Sequence, residues 1–255
     1  EPGRKIVYDL DTEGRGTNKR MTFDFDTAIP RAYSDSQKWQ KYAGRDILPM
    51  WVADMDFRPP ACVQTALEKM LAHGIYGYFG DDQAYLDAIT WWMQTRHGWS
   101  VDPKHIFTTH GLVNGTAMCV DAFTQPGDHV VLTTPVYHAF ARVIKAAGRQ
   151  VTECPLANVN GRYEMDFARW DAMLTGRETM MILCSPHNPG GRVWTAEELR
   201  QLADFAKRHD LILVSDEIHH DLVMPEHKHH VMAKAAPDGY TLLHSGITTH
   251  GIGPH

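Results

Sequence analysis

The sequence predicts an α/β fold, a mostly parallel sheet sandwiched by helices. Three observations carry that expectation. From residue 61 onward, short apolar runs alternate with helix-length amphipathic segments, the pattern of repeated strand–helix units. The runs Val130-Val131-Leu132, Met180–Cys184 and Leu211–Ser215 are continuous rather than alternating, as in strands buried on both faces. With 255 residues, 43% hydrophobic and 22% charged, the chain is long enough to cover such a sheet.

The elements follow in order. Pro60 opens an amphipathic helix over Ala61–His73, which Gly74 closes, and a second runs from Asp82 to His97 before Gly98. Ile106-Phe107-Thr108 reads as a short strand, and Gly111 leads into a helix reaching Phe123. After the turn Gln125-Pro126-Gly127-Asp128 come strand Val130–Leu132, helix Tyr137–Ala147 and strand Val151–Glu153. A helix near Asp166–Leu174 precedes strand Met180–Cys184, helix Ala196–His209, strand Leu211–Ser215 and strand Thr241–His244. In such sheets ligands lie beyond the carboxyl ends of the strands. The segments richest in chemistry fall there: Gly111-Leu112-Val113, Thr134-Pro135-Val136-Tyr137, Ser185–Gly191 and Asp216–His220.

Composition narrows the partners. A net charge of −6 leaves no basic footprint, so nucleic acid is not expected. No apolar run approaches the ~20 residues of a membrane span, and a cytoplasmic location is expected. Cys62, Cys119, Cys154 and Cys184 are scattered in apolar settings and read as reduced thiols. Histidine is in excess: of 16, eight fall within residues 219–255.

The four segments, together with Pro49–Phe57 and Tyr76-Gly77-Tyr78, resemble the fold-type I pyridoxal-phosphate enzymes, nearest to the cystathionine β-lyase branch of the class I/II aminotransferases. The resemblance implies that Gly111, Leu112 and Val113 take the cofactor phosphate and that Tyr137 stacks on its ring. It implies that Asn188 meets the ring hydroxyl oxygen, that Asp216 pairs with the ring nitrogen and that His219 orients the cofactor. Tyr76 and Tyr78 imply an ancestral dimer, so a homodimer or higher oligomer is expected. The resemblance breaks where the family carries its cofactor-bonding lysine. Thr248 or Thr249 stands there, and no lysine follows Lys234. Residues 1–20 therefore read as an extension outside the family. Residues 21–245 read as an aminotransferase-like large domain without its C-terminal small domain, and 246–255 as a tail outside the family.

A chain unable to bond the cofactor through lysine invites a different chemistry. The expectation is a metal-dependent hydrolase of ester or phosphoester bonds in a small-molecule substrate. Zinc or manganese would be held by His219, His220, His229 and His250, with Asp216 and Glu217 as catalytic carboxylates. The alternative is an inactive or residual remnant of a cystathionine β-lyase or aminotransferase that holds pyridoxal phosphate without a covalent bond.

Overall fold

A computed structural model describes residues 24–32, 34–52, 54–78 and 80–237, and the backbone of 241–244. They belong to two compact units, one within residues 1–78 and one within 79–247. The expected segments 1–20 and 246–255 lie outside the described residues.

The first unit holds helices α1 (Gln37–Gln40) and α2 (Ala61–His73), the latter ended by Gly74 at φ 73°. Its polar centre is an ionic lattice in the Pro49–Phe57 motif. Arg31 bonds Asp54 at 2.8 Å and Asp56 at 2.7 Å, Lys38 reaches Asp56 at 2.7 Å, and the Trp39 indole N–H donates to Asp56 at 2.9 Å. Hydrogen bonding from Arg31 holds the Asp54 carboxyl below the usual carboxylate range. These two aspartates are thereby accounted for as structural.

The second unit contains helices α3 (Gln83–His97), α4 (Leu112–Phe123), α5 (His138–Ala146), α6 (Phe167–Asp171), α7 (Ala196–Arg208) and α8 (Met232–Ala235). Strands β1 (His129–Leu132), β2 (Gln150–Glu153), β5 (Glu178–Cys184), β6 (Ile212–Asp216) and β7 (Thr241–His244) form a parallel sheet in the order β2-β1-β5-β6-β7. Strands β3 (Ala157–Val159) and β4 (Arg162–Glu164) form an antiparallel hairpin. The hairpin is absent from the sequence reading. Its signal was Asn160-Gly161, both at positive φ (52° and 84°) as a two-residue hairpin turn requires. The strand expected at Ile106–Thr108 does not form. A 3-10 turn at Pro103–His105 precedes it, and Phe107 stays 84% exposed, so those residues have no sheet to fill.

Alternation along the strands divides the core into two layers. Val130, Leu132, Met180, Ile182, Cys184 and Val214 face α4 and α5, meeting Val120, Phe140 and Ile144. Val131, Met181, Leu183 and Leu213 face the opposite way, meeting Trp170, Trp194, Leu199, Leu202 and Phe205 from α6, α7 and the segment between β5 and α7. Each buried side chain of this size contributes roughly 1.5–3 kcal/mol. Both faces are covered, so the expected sandwich of helices about a mostly parallel sheet is the observed fold.

Candidate functional site

All five strands of the sheet run parallel, so the carboxyl ends of β1, β5 and β6 share one edge. From β1 the chain passes first to β2 on one side and later to β5 on the other, so the β1 and β5 loops flank the topological switch point where open α/β sheets hold their ligands. His187 ties those loops together through Nε2, which donates to the Pro135 carbonyl at 2.8 Å. Burial pushes the His187 imidazole below its ordinary range, keeping it the neutral donor this bond needs. The backbone N–H of Asn188 donates to Cys184 Sγ at 3.3 Å. A Cβ on Gly190 would stand 2.7 Å from the Tyr163 ring and 2.9 Å from that of His187, so no side chain fits there. His187, Cys184 and Gly190 thus shape the Asn188 loop. Spacing alone could not assign His187 and Gly190, because Pro135 and Tyr163, which they meet, lie elsewhere in the chain.

Strand alternation explains the next feature. Asp216 follows Val214 on the α4/α5 face, whereas Glu217 follows Ser215 toward the α7/α8 face. The face Asp216 occupies is the one that α4 and α5 cover. Gly111, at φ 81°, caps α4 without a side chain, so the N–H groups of Leu112 and Val113 open the helix as an anion-ready terminus. Tyr137 caps α5, its ring edge-on to His138 and Phe140 at 5.0 and 5.6 Å between centroids. α4 packs against α5 and β7.

Asp216 itself is buried, 6% exposed, and its carboxylate accepts one described hydrogen bond, from the Ile218 N–H at 3.0 Å. No cation faces it among the described residues, and burial raises its pKa to about 7. A buried carboxylate at the carboxyl end of β6, on the face that α4 and α5 cover, suits a cationic ring N–H, which is what pyridoxal phosphate would bring. The residues present therefore fit that group. His219 lies in the turn after β6, with its carbonyl accepting from Leu222 N–H at 2.9 Å.

The carboxylate and histidines expected to form a hydrolytic metal site are arranged otherwise. Glu217 is 1% exposed and accepts from the Ser215 hydroxyl (2.9 Å), the Met232 N–H (2.8 Å) and His229 Nε2 (2.8 Å). It is a strut between β6 and α8, turned away from the Asp216 face. His220 donates through Nδ1 to the Glu217 carbonyl at 2.6 Å. The group it joins contains His97 and Asp221. His97 comes from α3, more than a hundred residues earlier, and no local signal in the sequence marks it. His250 lies outside the described residues.

Residues 45–248 match the family described as aminotransferase class I and II, and the chain belongs to that family. It is 43% identical to cystathionine β-lyase PatB of Bacillus subtilis over 84% of this chain and 57% of that protein. It is 33% identical to MalY of Escherichia coli over 90% of this chain and 60% of MalY. Cystalysin of Treponema denticola, solved with a pyridoxal 5′-phosphate cofactor, superposes at TM-score 0.85 with 35% identity, over 91% of this chain and 61% of cystalysin. The chain thus spans about 60% of the length of these relatives. These likenesses overturn the expected metal-dependent hydrolase and its catalytic zinc or manganese. The kinship is with lyases and pyridoxal-phosphate proteins, and Glu217 has its oxygens committed to holding the fold together. Among the described residues no helix is long and apolar enough to cross a membrane.

Proposed function

We propose that this chain is the pyridoxal-phosphate-binding portion of a cystathionine β-lyase-type enzyme, and that by itself it holds the cofactor without a covalent bond. When bound, the cofactor supplies an electron-accepting ring for cleavage at an amino-acid carbon. The chain's residues receive it. Gly111, Leu112 and Val113 offer backbone N–H groups to the phosphate, and Tyr137 covers one ring face. Asn188 donates to the ring oxygen from a loop locked by His187 and Gly190, and His219 orients the group from the turn after β6. Asp216 carries the assignment, because a buried carboxylate that faces no cation among the described residues is the counter-charge a protonated ring nitrogen needs. Four free cysteines, two of them buried, support a reducing, cytoplasmic setting. The amino-acid substrate would carry a carbon–sulfur bond, as the names of the lyase relatives suggest.

The test is a titration of the purified chain with pyridoxal phosphate, followed by its visible band and by quenching of tryptophan fluorescence. Saturable one-to-one binding is expected, weakened tenfold or more in Asp216→Asn. Borohydride treatment should leave no stoichiometric adduct on any lysine. Failure to bind, or a lysine adduct in good yield, would overturn the reading.

A further inference from the structure

On the Glu217 side of the β6 terminus lies a second cluster that the cofactor reading does not use. His97 Nε2 stands 3.0 Å from Asp221 Oδ1, and His220 Nε2 stands 3.2 Å from Asp221 Oδ2. The side chains of His97, His220 and Asp221 are only 7%, 3% and 8% exposed. The donor atoms of all three lie within 4.8 Å of one another. Ligands 2.0–2.1 Å from a tetrahedral ion sit roughly 3.3 Å apart, so the two contacts to Asp221 are near that spacing and the third pair needs only a small side-chain adjustment to reach it.

Orientation matters as much as spacing. The Nδ1–H of His220 is given to the Glu217 carbonyl at 2.6 Å, which fixes the tautomer and turns the lone pair of Nε2 toward Asp221. A nitrogen lone pair and a carboxylate oxygen that face each other at 3.2 Å need a positive charge between them, either a proton or a metal ion. The Asp221 carboxylate is held in place by the Trp92 indole N–H, which donates to Oδ2 at 2.7 Å. His97 also borders a cleft of about 170 Å³, shared with His229. Arg200, Lys228 and Lys234 line the same cleft, so a fourth position opening on it would favour hydroxide or a small anion.

We propose that His97, His220 and Asp221 bind a divalent ion of the zinc class, pinning the end of α3 to the turn after β6. Two imidazoles and one carboxylate are a donor set such ions accept readily. The ion crosslinks elements far apart in the chain and has no part in the cofactor's chemistry. The site stands or falls independently of the proposed function, since its test uses metal alone.

Chelator-treated full chain, free of pyridoxal phosphate, would be titrated with Co²⁺. Expected is one equivalent bound with the intense visible bands of four-coordinate cobalt, displaced by Zn²⁺. His220→Gln and Asp221→Asn should each weaken binding tenfold or more, while His227→Ala leaves it unchanged. X-ray absorption of the Zn²⁺-loaded wild-type chain needs no variant and should show a nitrogen/oxygen shell with outer scattering from two imidazoles. No stoichiometric binding, the pale spectrum of six-coordinate cobalt, affinity that survives both substitutions, or a sulfur shell would each overturn the site. Any of these would leave the cluster as a hydrogen-bonded brace between α3 and the turn.

Discussion

Burial moves the Asp216 carboxyl from an ordinary 3.8 to about 7, and the consequence for stability has a definite sign. Between those two values the folded chain binds more protons at this residue than the unfolded chain does, so stability falls as pH rises across that window and levels off above it. Replacing the carboxylate with a neutral amide removes this cost. In the cofactor-free chain, Asp216→Asn should therefore raise stability at pH 7.5 by on the order of 2 kcal/mol and flatten the slope between pH 4 and 7. Urea unfolding of both proteins at several pH values would read this directly, and an unchanged slope would contradict it. The same substitution is expected to weaken pyridoxal-phosphate binding, so one residue would trade stability for function. Its neighbour behaves oppositely. Glu217 accepts from three donors, and Glu217→Gln leaves at least one of them buried without an acceptor. A loss of about 1–3 kcal/mol is expected in the same measurement.

At the scale of elements, the loop between β5 and α7 is closely packed. Gly190 lies against the Tyr163 and His187 rings with no room for a methyl group. Gly190→Ala should cost about 1–3 kcal/mol, because the clash falls on two packed rings. It should also loosen pyridoxal-phosphate binding, since His187 and Asn188 share the loop, whereas Gly80→Ala meets open space without a left-handed backbone and should leave binding unchanged. Next along the chain, α7 begins with a capping box in which the Thr195 hydroxyl accepts from the Glu198 N–H at 3.2 Å and the Glu198 carboxylate accepts from the Thr195 N–H at 2.7 Å. The glycines that stop α2 and α3 were legible in the sequence, whereas this cap emerges from the structure. The β3–β4 hairpin was harder to read because its strands are three residues each, too short for alternation to stand out.

For the whole molecule, binding at the strand ends should stabilise the unit that carries them by mass action. Pyridoxal phosphate at a hundred times its dissociation constant adds ~2.7 kcal/mol. In a unit of this size that corresponds to a rise in midpoint of roughly 5–10 °C, measurable by calorimetry. Asp216→Asn should shrink the increment, and equal shifts in both proteins would argue against the strand ends as the binding place. Exposed apolar side chains are numerous: α2 buries none of its residues, and Leu71, Ile75 and Tyr76 are 72%, 73% and 66% exposed. Surfaces of this kind favour self-association. Sedimentation should accordingly find species heavier than the 28.8 kDa chain, and a strictly monomeric profile would contradict that.

By itself, the sequence determined the sheet class, the order of most helices and strands, and the segments that gather at the strand ends. Those properties are local, set by the period of apolar residues, by caps and by glycine stops. Only the tertiary structure decided what individual polar side chains do. Asp216 and Glu217 are adjacent and chemically alike, yet strand alternation sends one to the face covered by α4 and α5 and the other to a strut between β6 and α8. The histidines followed the same rule: His187 serves as a tie between loops, and His220 meets His97 across more than a hundred residues. Burial and partnership arise from contacts between distant segments, and composition and spacing along one strand of text do not contain them.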